Sequence, residues 1–301
     1  MIRIEGVVPV LPTPFLDDGA LDEESLRRLV DFCVEGGASA ICLPAYGSEF
    51  YKLSEGERVE GVRIAAAEAT GRLPVIGQAN HGSLRVALDL AGRMEDAGAA
   101  MISMAAPRTF ALGEEDLVRY FREVCRNLRA PLLIQDFNPG GTTVGASFAA
   151  RLHSECPSFR YLKLEDPRMG SRVRAILEAT DGEVGVLEGW GGMYLMELIP
   201  CGICGVMPGT PLLRVLNQVW QARKDGRDAE AYQAYCRVLP FIVFSLQHME
   251  LFLHVEKRLL RAMGLIRTAC VREATITLDR ETEAYADWLI QQLLAEEGCL
   301  R

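Results

Sequence analysis

Short apolar, β-rich runs recur along this chain at intervals of roughly thirty residues, and few folds accommodate that rhythm. The runs fall at residues 6–11, 38–43, 74–78, 99–104, 131–136, 160–165, 183–187 and 202–207. Amphipathic stretches separate them, at 22–35, 54–70, 83–97, 114–128, 145–154, 168–179 and 191–199. Ser54, followed three residues later by Glu57, forms a helix-start signal, and Gly36-Gly37, Gly71 and Gly98 fall where helices should stop. Strands that are apolar on both faces and alternate with helices imply a parallel sheet covered by helices. Eight such units predict a closed α/β architecture, the (β/α)8 TIM barrel, over residues 1–210. A doubly wound sheet is the other arrangement of this pattern, but it rarely repeats so regularly. Residues 211–301 are rich in helix formers, broken at Gly226, Gly264 and Thr277–Asp279. They predict a C-terminal extension of two or three long helices packed on the barrel as one folded unit.

Within this frame the run Phe159-Arg160-Tyr161-Leu162-Lys163-Leu164-Glu165-Asp166 stands out. Leu162 and Leu164 alternate with Tyr161, Lys163 and Glu165, so one face is apolar and the other carries polar chemistry. The chain has only four lysines. Lys52, Lys224 and Lys257 have polar or amphipathic neighbours and read as solvated, whereas Lys163 lies inside an apolar strand. An ammonium there is costly unless it is paired or loses its proton, and a neutral amine can attack a ketone to form a Schiff base. The plainer reading is a strand-end lysine that snorkels outward or pairs with Glu165.

Composition narrows the function. A net charge of −9 without long like-charge runs argues against nucleic acid or an anionic membrane as partner, but not against a small anionic substrate. Nine cysteines, mostly in apolar segments, suit reduced thiols in a cytoplasmic protein. Cys201-x-x-Cys204 has neither a second pair nor a nearby histidine, and no His/Asp/Glu cluster has metal-ligand spacing, so no metal is expected. The N-terminus lacks signal-peptide architecture, and the apolar stretch 238–246 contains Pro240 and is too short to span a membrane.

Active sites of such barrels lie at the C-terminal ends of the strands. The segments there are 44–51, 135–143, 188–192 and 207–210, with Lys163 near the end of strand six. The glycines at 189, 191 and 192 leave room at the mouth or, less in keeping with a loop that lacks basic residues, cradle a phosphate. His81 is a mouth or loop residue, and His248 and His254 read as structural helix residues.

The order of these features resembles the dihydrodipicolinate synthase and N-acetylneuraminate lyase family of Schiff-base aldolases. The matching pieces are Gly6-Val7-Val8-Pro9 with Thr13-Pro14-Phe15, the segment 48–58, Pro139-Gly140, Lys163-Leu164-Glu165, and Cys201-Gly202 with Gly205-Val206. The resemblance implies the family's barrel, Lys163 as the Schiff-base lysine, no cofactor beyond that covalent imine, and a homotetramer or dimer. The family's loop after strand two, which holds the keto acid's carboxylate, is Ala45-Tyr46-Gly47-Ser48-Glu49 here. The amides of Gly47 and Ser48 and the Ser48 hydroxyl are therefore expected to bind that carboxylate, with Tyr46 assisting. Glu49 reads as a supporting carboxylate.

The family's proton-relaying tyrosine aligns with Gln135, and an amide cannot relay a proton as a phenol does. Acid–base duty then passes to Asp136, Tyr46, Glu165 or a held water. Gly141 stands where dihydrodipicolinate synthases carry an arginine, which counts against a dicarboxylic adduct. The Gln135-Asp136 pair is more similar to the family's 2-keto-3-deoxy sugar-acid dehydratase branch. The expectation is thus a metal-free class I lyase, dehydratase or aldolase, with Lys163, Gln135, Asp136 and Tyr46 as catalytic residues. Gly47, Ser48, Glu165, Gly189 and Met207 are the expected substrate contacts. The competing readings are a pyruvate–aldehyde condensation of the dihydrodipicolinate synthase kind, a non-catalytic keto-acid-binding barrel, and a phosphate-binding barrel enzyme.

Overall fold

The computed structural model describes residues 3–137, 144–166, 168–295 and 300. Its strands are β1 (Gly6–Val7), β2 (Ile41–Leu43), β3 (Val75–Gln78), β4 (Met101–Ala105), β5 (Leu132–Phe137), β6 (Phe159–Glu165), β7 (Gly185–Glu188) and β8 (Gly205–Val206). Neighbours pair in parallel in the order β1-β8-β7-β6-β5-β4-β3-β2. The ring closes through a parallel bridge between Val10 and Cys42, with the Leu11 amide donating to the Cys42 carbonyl at 3.0 Å. The barrel read from the repeat is therefore present, with β1 and β8 shorter than their apolar runs.

Alternation along the strands sorts side chains into two cores. Cys42, Ile76, Met101, Leu133, Tyr161 and Leu187 fill the barrel's interior. Ile41, Val75, Ile102, Ile134, Leu162 and Val186 point outward under the helices. Those helices are α1 (Glu23–Glu35), α2 (Glu55–Ala69), α3 (Leu84–Asp96), α4 (Glu114–Asn127), α5 (Ala146–Glu155), α6 (Gly170–Ala179) and the short α7 (Leu195–Leu198). The Ser54–Glu57 capping box opens α2 as read, with the Glu57 amide donating to Ser54 Oγ at 3.2 Å.

Four helices follow β8: α8 (Leu213–Lys224), α9 (Asp228–Ser245), α10 (Met249–Ala262) and α11 (Arg280–Ala295). The first of these packs against β1 and completes the barrel's outer ring, although the sequence grouped it with the extension. The break at 246–248, unmarked by glycine or proline, divides what read as one helix and turns the chain back across the barrel mouth. His248 caps α10 by accepting the Glu250 amide at 3.2 Å.

Two lysines correct the sequence reading. Lys257 is fully buried and only 3% of the Lys52 side chain is exposed, because both ammonium groups are enclosed with carboxylates between α10 and the loop after β2. No helix among the described residues is long and apolar enough to cross a membrane.

Candidate active site

The polar positions that face the barrel interior meet near the C-terminal ends of the strands. Lys163 on β6 sits beside Gln135 on β5 in the sheet register. Lys163 Nζ lies 2.9 Å from Glu165 Oε1, and the same oxygen accepts a hydrogen bond from Gln135 Nε2 at 2.5 Å. Gln135 Oε1 in turn accepts from Gln78 Nε2 of β3 at 2.5 Å. This chain fixes both amides and aims the Glu165 carboxylate at the amine. All four side chains are buried. The contact puts a proton acceptor within hydrogen-bond reach of the amine.

Above this floor opens a cavity of about 380 Å³, lined by Lys163, Glu165, Gln135, Tyr46, Gly47, Gly189 and Met207, with Phe137, Trp190, His248 and Phe252 among its other walls. The size suits a small organic acid. Tyr46 lies on the 3₁₀ turn Tyr46–Ser48, its ring edge-on to Phe50 and tilted on Phe137, both at 5.0 Å between centroids. Burial, reinforced by the charge of Glu165, pushes its phenol pKa up, so it is a proton donor at any working pH.

Two predicted residues are not in the cavity. Ser48 is fully buried; its hydroxyl donates to the Leu11 carbonyl at 2.5 Å and accepts the Ala45 amide at 2.9 Å, and its own amide donates to Ala45 O. Both Ser48 groups expected to hold a substrate carboxylate are spent on shaping the loop. Asp136 faces away from the interior, because adjacent residues on a strand point to opposite sides and Gln135 takes the inward one. Its carboxylate pairs with Arg108 and accepts the Val144 amide at 2.6 Å, so it secures the end of β5 and does not face the chemistry. The Pro139–Gly141 turn and the arginine position at Gly141 lie outside the described residues. Glu49 is the supporting carboxylate expected of it. It is fully buried and contacts Lys257, Lys52 Nζ at 3.4 Å and the Arg272 amide at 3.1 Å.

Gly189 shows why no side chain is tolerated beside the amine. A Cβ there would lie 2.3 Å from Glu165 Cγ and 3.0 Å from Lys163 Cε. Gly189→Ala must displace one or both, and a displacement near 1 Å lowers kcat/KM on the order of 10²-fold. Steady-state kinetics set beside an unchanged circular dichroism spectrum would check this; unaltered kinetics would rule the close approach unimportant.

Two buried carboxyl groups support the loops around the mouth. Glu188, raised to about 7 by burial, accepts the amides of Gly192 at 2.8 Å and Tyr194 at 3.3 Å. Glu256 accepts the Thr210 amide at 2.7 Å through Oε1, and its Oε2 has no partner. Burial raises Glu256 from 4.5 to about 8. A carboxyl protonated in the folded state and ionised in the unfolded one contributes stability that is complete below 4.5 and lost as pH rises to about 8. Relative to Glu256→Gln, the unmodified protein is expected to lose stability across that window at up to about 1.4 kcal/mol per pH unit. Denaturant titrations of both proteins at several pH values measure the difference, and parallel pH profiles would contradict it.

The description "Dihydrodipicolinate synthetase family" matches residues 3–293. The chain belongs to the dihydrodipicolinate synthetase family. As a member it is a Schiff-base-forming lyase of the family's aldolase and dehydratase type. It is 29% identical, over 94% of this chain and 92% of the relative, to an L-2-keto-3-deoxyarabonate dehydratase of Azospirillum brasilense. A 4-hydroxy-tetrahydrodipicolinate synthase of Methanopyrus kandleri is 28% identical over 79% of this chain and 80% of its own length. The crystal structure of a dihydrodipicolinate synthase from Rhodopseudomonas palustris superposes with a TM-score of 0.90 at 25% identity, covering 97% of this chain and all of that one.

Sequence reasoning missed three parts of this family member's site. Gln78, a lone polar residue among the apolar positions of β3, carried a detectable signal. Trp190 stands among the glycines of the segment 188–192, where only the glycines carried a reading. His248 carried none, since its place depends on how α9 and α10 are joined.

Proposed function

We propose that this family member dehydrates a 2-keto-3-deoxy sugar acid through an imine on Lys163. The observation that carries the reading is the Lys163 amine on the cavity floor, 2.9 Å from the Glu165 carboxylate, with an amide, Gln135, as its strand-five neighbour. Glu165 takes a proton from the ammonium, and the neutral amine adds to the C2 ketone. Glu165 returns that proton to the carbinolamine hydroxyl, which leaves as water to give a protonated imine and a free carboxylate. That cation acidifies C3, and Glu165 is the base within reach to remove the C3 proton, leaving an enamine. The enamine electrons then expel the C4 hydroxyl, which departs as water with a proton from a phenol or a bound water. Hydrolysis finally frees Lys163. The imine serves as the electron sink, so the scheme calls on no further cofactor. Breaking C3–C4 from the same imine would instead make the enzyme an aldolase.

The dehydratase relative and the amide at position 135 support dehydration. The reading includes a cytoplasmic homo-oligomer, tetramer or dimer, supported by the family and by the eight described cysteines being free thiols. Borohydride reduction with pyruvate, followed by peptide mass spectrometry, tests the imine: an adduct on Lys163 is expected, and an unmodified Lys163 would sink the proposal. Product analysis from 2-keto-3-deoxypentonate then separates dehydration from pyruvate release.

A further inference from the structure

Glu188 ends β7 and begins the loop whose residues Gly189, Trp190 and Gly191 line the cavity, yet it is not itself a lining residue. Leu187 takes the inward side of the strand, so the fully buried Glu188 carboxyl turns from the substrate and reaches forward into the loop. Its Oε2 accepts the backbone N–H of Gly192 at 2.8 Å, and its Oε1 that of Tyr194 at 3.3 Å. Both oxygens therefore face donors. Tyr235 of α9 ties the same turn from the other side, its hydroxyl donating to the Met193 carbonyl. Behind these ties lies the reacting pair. Gly189 donates its N–H to the Leu164 carbonyl at 2.9 Å and packs, without a side chain, against Glu165 Cγ and Lys163 Cε. The Glu188 carbonyl also accepts the N–H of the cavity-lining Met207 at 2.9 Å.

A loop with two converging N–H groups is served best by a charged acceptor, since hydrogen bonds to an ionised group are the stronger ones. Protonation turns one of the two acceptor oxygens into a hydroxyl that faces a donor. Burial opposes the charge and the two N–H groups favour it, which leaves Glu188 titrating at about 7. The groups that face it are few. From β6, Lys163 favours its ionised form and Glu165 opposes it. From α9, Tyr235 stands close enough for the Glu188 charge to raise its phenol, which also feels Tyr194 and Glu197. From α8, Leu216 packs on Gly192.

We infer that Glu188 is a positioning residue for the Lys163–Glu165 pair, acting through the loop 189–194, and that its ionisation sets how firmly the pair is held. This rests on the lyase reading above and adds a control of that site which touches neither substrate nor imine.

The test compares pH profiles of kcat/KM on 2-keto-3-deoxypentonate for the unmodified protein and Glu188→Gln. A glutamine offers one acceptor oxygen and so resembles the protonated state at every pH. In the unmodified protein kcat/KM should climb as pH passes about 7. Glu188→Gln should lack that climb and lie about tenfold lower on the alkaline side, the effect of one lost hydrogen bond. Tyr235→Phe cuts the outer tie alone; it should lower the whole profile and keep the climb. A climb that persists in Glu188→Gln, or a deficit equal at every pH, would make Glu188 a merely structural residue and overturn the inference. Hydrogen exchange on the unmodified protein reads the same tie with no variant and no turnover. Corrected for the intrinsic rise of exchange with pH, the N–H groups of Gly192 and Tyr194 should become better protected above about 7. Unchanged protection across that range would overturn the inference whether or not Glu188→Gln folds. Rising protection in a protein that neither turns over a 2-oxo acid nor traps one on Lys163 would instead remove the lyase reading, and the pair's role with it.

Discussion

Lys163→Ala is expected to abolish lyase turnover, with a loss on the order of 10⁴- to 10⁶-fold, the scale seen when a covalent nucleophile is removed. The informative companion is Lys163→Arg. A guanidinium retains a positive charge beside Glu165, but it stays protonated and cannot add to a ketone. If the amine's purpose were only to neutralise Glu165, arginine would retain much of the activity. If the amine forms the imine, arginine is as inactive as alanine, and neither variant gives a borohydride adduct. Thermal melts separate chemistry from folding. Alanine leaves the Glu165 carboxylate buried with the Gln135 amide but no cation, whereas arginine keeps it paired. Full activity in either variant would remove the imine from the mechanism.

How much of this was legible beforehand depended on the range of the interactions concerned. The alternation in β6 is local, and it placed Lys163 and Glu165 correctly on one inward face. The same parity, applied to β5, separates Gln135 from Asp136; grouping the two as a catalytic pair followed the family alignment and overlooked the pleat. Ser48 was misassigned for a different reason. Its hydroxyl is taken by Leu11 O, 37 residues away, and composition or spacing carries no trace of that bond. The barrel itself was readable because eight repeats of one local pattern agree with one another. The cavity's far wall was not, because it is made where α9 ends and α10 begins, at a break without glycine or proline. Lys257 escaped for a related reason: a charged residue on a helix reads as solvated unless its buried partner is known, and that partner, Glu49, lies 208 positions away.

That partnership yields the largest expected stability effect. Lys257 Nζ contacts the Glu49 carboxylate, donates to the Cys270 carbonyl at 2.7 Å and lies 4.4 Å from the centre of the Phe15 ring. Burial pulls its pKa down, and the charge of Glu49 resists that fall. Glu49→Gln strands this ammonium in the interior and is expected to cost about 3–5 kcal/mol. For a chain of this size that corresponds to a fall in Tm of about 5–8 °C. Lys257→Met should cost less, because Lys52 and the Arg272 amide still face the Glu49 carboxylate. The double variant Glu49→Leu with Lys257→Met should regain most of the lost stability, since apolar packing commonly replaces a buried pair without penalty. Activity need not return with it. Glu49 directly follows the turn Tyr46–Ser48 and ties it to the segment at Arg272, so the pair also sets where Tyr46 and Gly47 stand over Lys163. A double variant that melts like the parent yet keeps a raised KM would assign the pair to positioning. One that recovers both would confine it to stability, and a single Glu49→Gln variant with an unchanged Tm would show that the charge is not buried as the contacts indicate.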